Sequence, residues 1–153
     1  MTNNEKAIEP LLIAIKAEKS AIEYYARAAR RVTNPTGKKA LEKIKKQEEA
    51  HYKALKLKFR KLTGRDVRPE DEAGVSAQIS PLTEAHIADR EASDLDICQV
   101  ALQDEREAHN YYLKSAQGSS DSATIKLYEE LAGEEKKHAE TIAGLCRILS
   151  GKK

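Results

Sequence analysis

Tryptophan is absent from this sequence, phenylalanine and methionine occur once each, and aromatic residues make up 5% of the 153 positions. Valine is scarce beside Ala, Leu, Lys and Glu. Strands draw on β-branched and aromatic residues, so this shortage argues against a sheet and for helices. Long apolar runs are also missing. The run from Leu11 to Ile15 is far too short to span a membrane, and no signal peptide is read, so a cytoplasmic protein with no membrane partner is expected. Neither sign of charge dominates: 27 basic and 25 acidic residues are interspersed and leave a net charge of +2. No nucleic acid or other polyanion is therefore demanded as a partner. Cysteine is confined to Cys98 and Cys146, 48 residues apart. They make neither a Cys-x-x-Cys metal site nor a disulfide framework. The length suits one domain over 1–153 with a single core.

What the sequence does have is an ungapped internal repeat. A shift of 87 residues places Glu18 on Glu105, Glu48 on Glu135 and His51 on His138, and Tyr24-Tyr25 on Tyr111-Tyr112. The same shift aligns Ala14, Ala21 and Ala29 with Ala101, Ala108 and Ala116. Both halves read Glu-x5-Tyr-Tyr, followed by Glu-x-x-His 30 residues after the first Glu. Repeats of this kind report architecture before any single motif does. The matched positions are acids, imidazoles and phenols, not only the aliphatic residues that a shared core would keep. Cys98 and Cys146 fall on Leu11 and Phe59, so they read as buried apolar fillers.

Apolar periodicity predicts four long helices. The first runs from about Glu9 or Pro10 to Arg31. The second follows the Asn34 cap and Pro35 and stops near Gly64. Ser93-x-x-Asp96 caps the third, and the turn Gly118-Ser119-Ser120-Asp121 leads into the fourth. Arg65 to Gly74 reads as a charged loop, and Ser80-Pro81 as the start of a short helix. The first hairpin thus covers about 9–64, a crossover 65–92, and the second hairpin about 93–151. Helices of this length span about 37 Å, and the crossover is long enough to return along the bundle. The expected fold is all-α: an up-down-down-up four-helix bundle with a long crossover between helices two and three.

Each apolar stripe carries an acid, or an acid and a histidine, near its midpoint. Positions i and i+3 share a helix face, so Glu18, Glu48, His51, Glu105, Glu135 and His138 should converge halfway along the bundle. Four carboxylates inside a protein cannot all stay ionised without compensation, and two divalent cations supply it, with two neutral imidazoles as further ligands. One Glu from each of two helices and a Glu-x-x-His step from each of the others is the di-metal carboxylate pattern of ferritin-like bundles.

On these motifs the sequence resembles the rubrerythrin-like branch of the ferritin-like superfamily, over nearly all of both hairpins. The resemblance implies a non-haem di-iron centre, with manganese as the alternative metal. Glu18 and Glu105 would be terminal ligands, Glu48 and Glu135 bridging carboxylates, and His51 and His138 one imidazole per metal. Tyr25 and Tyr112 would be phenols hydrogen-bonded to ligand carboxylates, each two turns along the same face as its own Glu. The sequence departs from rubrerythrin in two ways. No Cys-rich rubredoxin module is read, so electrons are expected from an external donor or from Fe(II) itself. Ala108 stands where that family carries an extra glutamate on the third helix.

His109, one turn past Glu105, is either a seventh ligand or a histidine hydrogen-bonded at the rim of the core. His86 reads as a surface residue. Ten basic residues between Lys38 and Lys61 read as a solvated face, with an acidic electron carrier as the alternative use. The expected function is a di-iron oxidoreductase that reacts with hydrogen peroxide or dioxygen and forms a homodimer. A ferroxidase or iron-storage protein and a di-iron hydroxylase are the alternatives.

Overall fold

The computed structural model of the protein describes residues 2–75 and 92–151, and these contain five helices. They are α1 (Asn3–Arg31), α2 (Pro35–Thr63), α3 (Pro69–Ala73), α4 (Asp94–Gln117) and α5 (Ser122–Leu149). The expected short helix after Ser80 and the residue His86 lie outside the described residues.

The caps are largely those the sequence announces. Asn34 accepts from the Gly37 N–H with Pro35 in the first turn, Gly64 ends α2 at φ 77°, Ser93 and Asp96 form a capping box, and Asp121 caps α5. The start of α1 differs from expectation. A capping box between Thr2 and Glu5 begins the helix at Asn3, and Pro10 is carried inside it. A proline there removes one helical hydrogen bond, yet Ile8 packs against the core, so the extra turns have something to bury. The stretch expected to be loop after Arg65 also holds a short helix. Asp71 forms a two-pronged ion pair with Arg65, at 2.8 and 2.9 Å, and accepts the Arg68 N–H.

Contacts between the hairpins fix the helix directions. The Tyr24 hydroxyl donates to the Ile97 carbonyl and the Tyr111 hydroxyl to the Pro10 carbonyl, so α1 and α4 run antiparallel. Gly37, at the start of α2, lies against Leu145 near the end of α5, while Lys58 reaches Asp121 at the other end of α2. Hence α2 and α5 are antiparallel too, and the order is up-down-down-up. The α1–α2 turn is tied to the start of α4 by Asp94, which accepts from the backbone N–H groups of Thr33 and Asn34.

The core has two apolar clusters, one around Leu11, Ile15, Leu55, Phe59 and Tyr112 and the other around Tyr25, Leu41, Ile44, Ile97 and Ile142. Leu11 and Phe59 belong to the first and their repeat equivalents Cys98 and Cys146 to the second, as a pseudo-twofold requires. The two cysteines are not separate fillers, as the sequence suggested. They form a disulfide with Cα atoms 5.7 Å apart, joining the first turns of α4 to the last turns of α5. An antiparallel hairpin brings those two ends together whatever the spacing along the chain, which is why spacing alone did not reveal the pair. Among the described residues, no helix is long and apolar enough to cross a membrane.

Candidate metal centre

Each of the four long helices brings its polar residues to mid-length, between the two apolar clusters. Glu18 comes from α1, Glu48 and His51 from α2, Glu105 from α4, and Glu135 and His138 from α5. All six are buried, with exposures from 0% at Glu105 to 5% at His138. His51 Nδ1 lies 2.9 Å from Glu135 Oε1, 3.4 Å from Glu48 Oε1 and 3.6 Å from Glu18 Oε1. His138 Nδ1 mirrors this, at 2.9 Å from Glu48 Oε1, 3.5 Å from Glu105 Oε2 and 3.8 Å from Glu135 Oε2. The rings stack with centroids 5.7 Å apart.

Two sets of four donors result: Glu18, Glu48, His51 and Glu135, and Glu48, Glu105, Glu135 and His138, with the donor atoms of each set within 4.8 Å of one another. Glu48 and Glu135 belong to both sets. Seven atoms pointing into this space are buried and have no hydrogen-bond partner: Glu18 Oε2, Glu48 Oε1, Glu105 Oε2, both oxygens of Glu135, and Nδ1 of His51 and His138. Native interiors rarely leave such groups unpaired, and facing acceptor atoms are satisfied either by bound protons or by a cation between them. The cluster could hold metal ions.

The tyrosines reach these acids across the bundle. The Tyr112 hydroxyl donates to Glu18 Oε1 at 2.6 Å, and the Tyr25 hydroxyl to Glu105 Oε1 at 2.5 Å. The sequence placed each phenol on the face of its own hairpin's Glu. Seven residues carry it about 10 Å along the axis, out of reach, while the antiparallel partner helix brings the other hairpin's Glu to it. Each phenol occupies one carboxylate oxygen and leaves Oε2 turned inward.

Two further residues escaped the sequence analysis. His138 Nε2 contacts Gln47 Oε1 at 2.7 Å, and His51 Nε2 contacts the Glu134 carboxylate. Gln47 and Glu134 are repeat equivalents, each just before the Glu of its Glu-x-x-His step. A neutral imidazole has one N–H, so an oxygen acceptor at Nε2 keeps the proton there and leaves the Nδ1 lone pair facing inward. His109 Nδ1 pairs with the Ala132 carbonyl at 2.8 Å, and the residue belongs to neither donor set.

Protonation of the metal-free cluster follows from its burial. Burial raises Glu18 and Glu135 well above the ordinary carboxylate range, with the neighbouring Glu48 adding to the effect in both. Burial acts to lower His51 and His138, but the carboxylates beside them outweigh it and hold their pKa at about 11 and about 9. Burial also works to raise Glu48, yet the imidazoles of His138 and His51 leave it below its ordinary value. Glu18, Glu135 and both histidines bind protons more tightly folded than unfolded. Their contribution is complete below the unfolded values, near 4.5 for the acids and 6.5 for the histidines, and is lost as pH rises through the folded ones. Glu48 acts in the opposite sense, and its contribution is lost only on the acid side of this window. The metal-free protein should therefore melt at least about 5 °C lower at pH 9 than at pH 5.5. Thermal scans in chelator check this, and an unchanged Tm across the range would contradict it.

These features define a ferritin-like helical bundle with a buried carboxylate–histidine cluster. In particular, the fold matches that of a dodecameric thioferritin, a bacterioferritin-related protein from Bacteroides fragilis, with a TM-score of 0.79 at 18% identity over 92% of this chain and 84% of that one. A hypothetical protein from Pyrococcus furiosus matches with a TM-score of 0.76 at 22% identity, over 95% of this chain and 90% of that one. By sequence, the chain is 26% identical over 136 residues to the uncharacterised protein YhjR of Bacillus subtilis strain 168, covering 86% of this chain and 83% of YhjR. No protein-family model matches the sequence.

Proposed function

We propose that the protein is a rubrerythrin-like, non-haem di-iron oxidoreductase that acts on hydrogen peroxide or dioxygen with electrons from an external donor. The observation carrying this reading is the set of seven unpartnered buried donor atoms in two overlapping groups. In this reading Glu18 and Glu105 would each hold one metal, Glu48 and Glu135 would serve both, and His51 and His138 would complete the two sets. Carboxylate and imidazole donors suit iron, and manganese as the alternative. Bound iron supplies the one-electron redox steps that these side chains cannot. The chain's own part is to hold the donors in place through Tyr25, Tyr112, Gln47 and Glu134, and to keep bulk water out with the apolar clusters at either end.

A second reading, iron oxidation for storage, draws on the likeness to the Bacteroides fragilis protein, which is dodecameric by its description. Self-association is part of both readings, as a homodimer in the first and a larger shell in the second. A cytoplasmic setting belongs to the first, with the disulfide shielded from reductants because Cys98 is 2% and Cys146 9% exposed. Anaerobic Fe(II) titration should saturate near two ions per chain and, after oxidation, give a spin-coupled pair. Saturation at one ion with no coupled pair would remove the di-iron reading. Peroxide should oxidise the loaded protein faster than air; equal or reversed rates, with continued iron uptake by a large assembly, would favour storage.

A further inference from the structure

The pseudo-twofold is broken where the two imidazoles meet their outer acceptors. His51 on α2 donates through Nε2 to the Glu134 carboxylate on α5, and His138 on α5 donates through Nε2 to the Gln47 amide oxygen on α2. Inside the cluster the two histidines are near copies, each with Nδ1 2.9 Å from a shared carboxylate. In their direct contacts the two differ in the outer partner. A carboxylate that accepts the Nε2 proton draws it outward and enriches the ring, which makes Nδ1 a stronger donor to a metal. It also places a formal negative charge behind that position. A neutral amide offers the same geometry without the charge, so the ring it holds is the weaker base.

We infer that the two metal positions are unequal, that the one served by His51 fills first and more tightly, and that Glu134 is the positioning residue that sets this order. The inference rests on the metal-centre reading above. Glu134 and Gln47 both lie at the surface, where exchanging them leaves the packing intact. Solvent screens the Glu134 charge, so its effect belongs at the lower end of the range for outer partners, about tenfold in metal affinity. Among the described buried residues, one acid with no acidic counterpart in the repeat also breaks the symmetry. Asp104 is buried beside Glu105, where the first half has Ala17. A test that exchanges only the outer acceptors holds Asp104 constant.

The probe is cobalt(II), added under anaerobic conditions to chelator-treated protein. Calorimetry resolves the steps, and proton NMR follows the paramagnetically shifted, exchangeable imidazole N–H signals. In the wild-type protein two steps should separate by about tenfold, with one shifted N–H appearing at the first equivalent and a second at the next. Glu134→Gln should weaken the first step by about tenfold and move the first signal. Gln47→Glu should strengthen the second step by a similar factor and move the second signal. The double exchange, which keeps the total charge, should reverse the order in which the signals appear. A purely structural role for Glu134 would not produce that reversal. If the double exchange keeps the wild-type order, or Glu134→Gln leaves both steps unchanged, the inference is overturned. Two ions bound with equal affinity would overturn it while leaving the metal centre standing, whereas no cobalt binding would remove both.

Discussion

Glu135→Ala is expected to abolish tight binding at both metal positions while leaving the metal-free protein about as stable as the wild type near neutral pH. Glu135 belongs to both donor sets, it is 1% exposed, and neither of its oxygens has a hydrogen-bond partner. In the absence of metal it is a liability. Ionised, it faces Glu18, Glu48 and Glu105; protonated, it must hold its proton against rising pH. Its removal relieves the repulsion from three neighbouring acids, while the loss of a partner for His51, 2.9 Å away, and the cavity left behind, about 1 kcal/mol or more, offset that gain. With metal the balance reverses, because binding requires the ionised form. Free Fe(II) at a thousand times its Kd stabilises a one-site protein by about 4 kcal/mol, roughly 8–16 °C in Tm for a chain of this size. Anaerobic melting curves should show at least that rise for the wild type and less than about 2 °C for the variant. If the variant is much less stable in chelator while metal stabilises both proteins equally, Glu135 is an ordinary structural acid and the centre is misassigned.

Loss of the Cys98–Cys146 disulfide should be comparably severe and independent of metal. The bond closes a loop of 48 residues of sequence separation, and the chain-entropy model assigns such a loop about 4 kcal/mol. Reduction, or the paired replacement Cys98→Ala with Cys146→Ala, should therefore lower the Tm of the chelated protein by roughly 8–16 °C. The Fe(II) stoichiometry should not change, because the pair lies in the apolar cluster beyond the six donors. Reductant should have no further effect on the double variant. Equal melting of oxidised, reduced and doubly substituted proteins would show that the link adds nothing to the hairpin contacts.

The parts of this molecule legible in the sequence were those written twice. Repetition singled out the acids and histidines, and helical periodicity put them on inward faces, so the bundle order and the convergence of the six side chains followed from pattern alone. What pattern missed shares a physical cause. Gln47 and Glu134 align in the repeat but differ in type, so a search for identical positions passes over them, although both offer an oxygen acceptor at the same place. Cys98 and Cys146 align with Leu11 and Phe59, and the match to two apolar residues hid a bond that depends on how hairpin ends approach. The crossing of Tyr25 and Tyr112 to opposite acids depends on the offset between antiparallel helices, which no single helix face records. At the start of α1 the sequence does carry the signal, in Thr2 and Glu5, but Pro10 masks it, because a proline more often marks a first turn than a helix interior.

The reciprocal tyrosine bonds make the hairpins behave like two subunits of an isologous dimer joined into one chain. Tyr24 and Tyr25 of the first bind Ile97 and Glu105 of the second, while Tyr111 and Tyr112 bind Pro10 and Glu18 in return. In a true twofold homodimer every residue occurs at both related places, so both imidazoles would have to lean on glutamate or both on glutamine. Covalent fusion lifts that constraint. A single chain can place a carboxylate behind one imidazole and an amide behind the other, put an acid at 104 with alanine at 17, and lock one hairpin with sulfur while the other relies on Leu11 and Phe59.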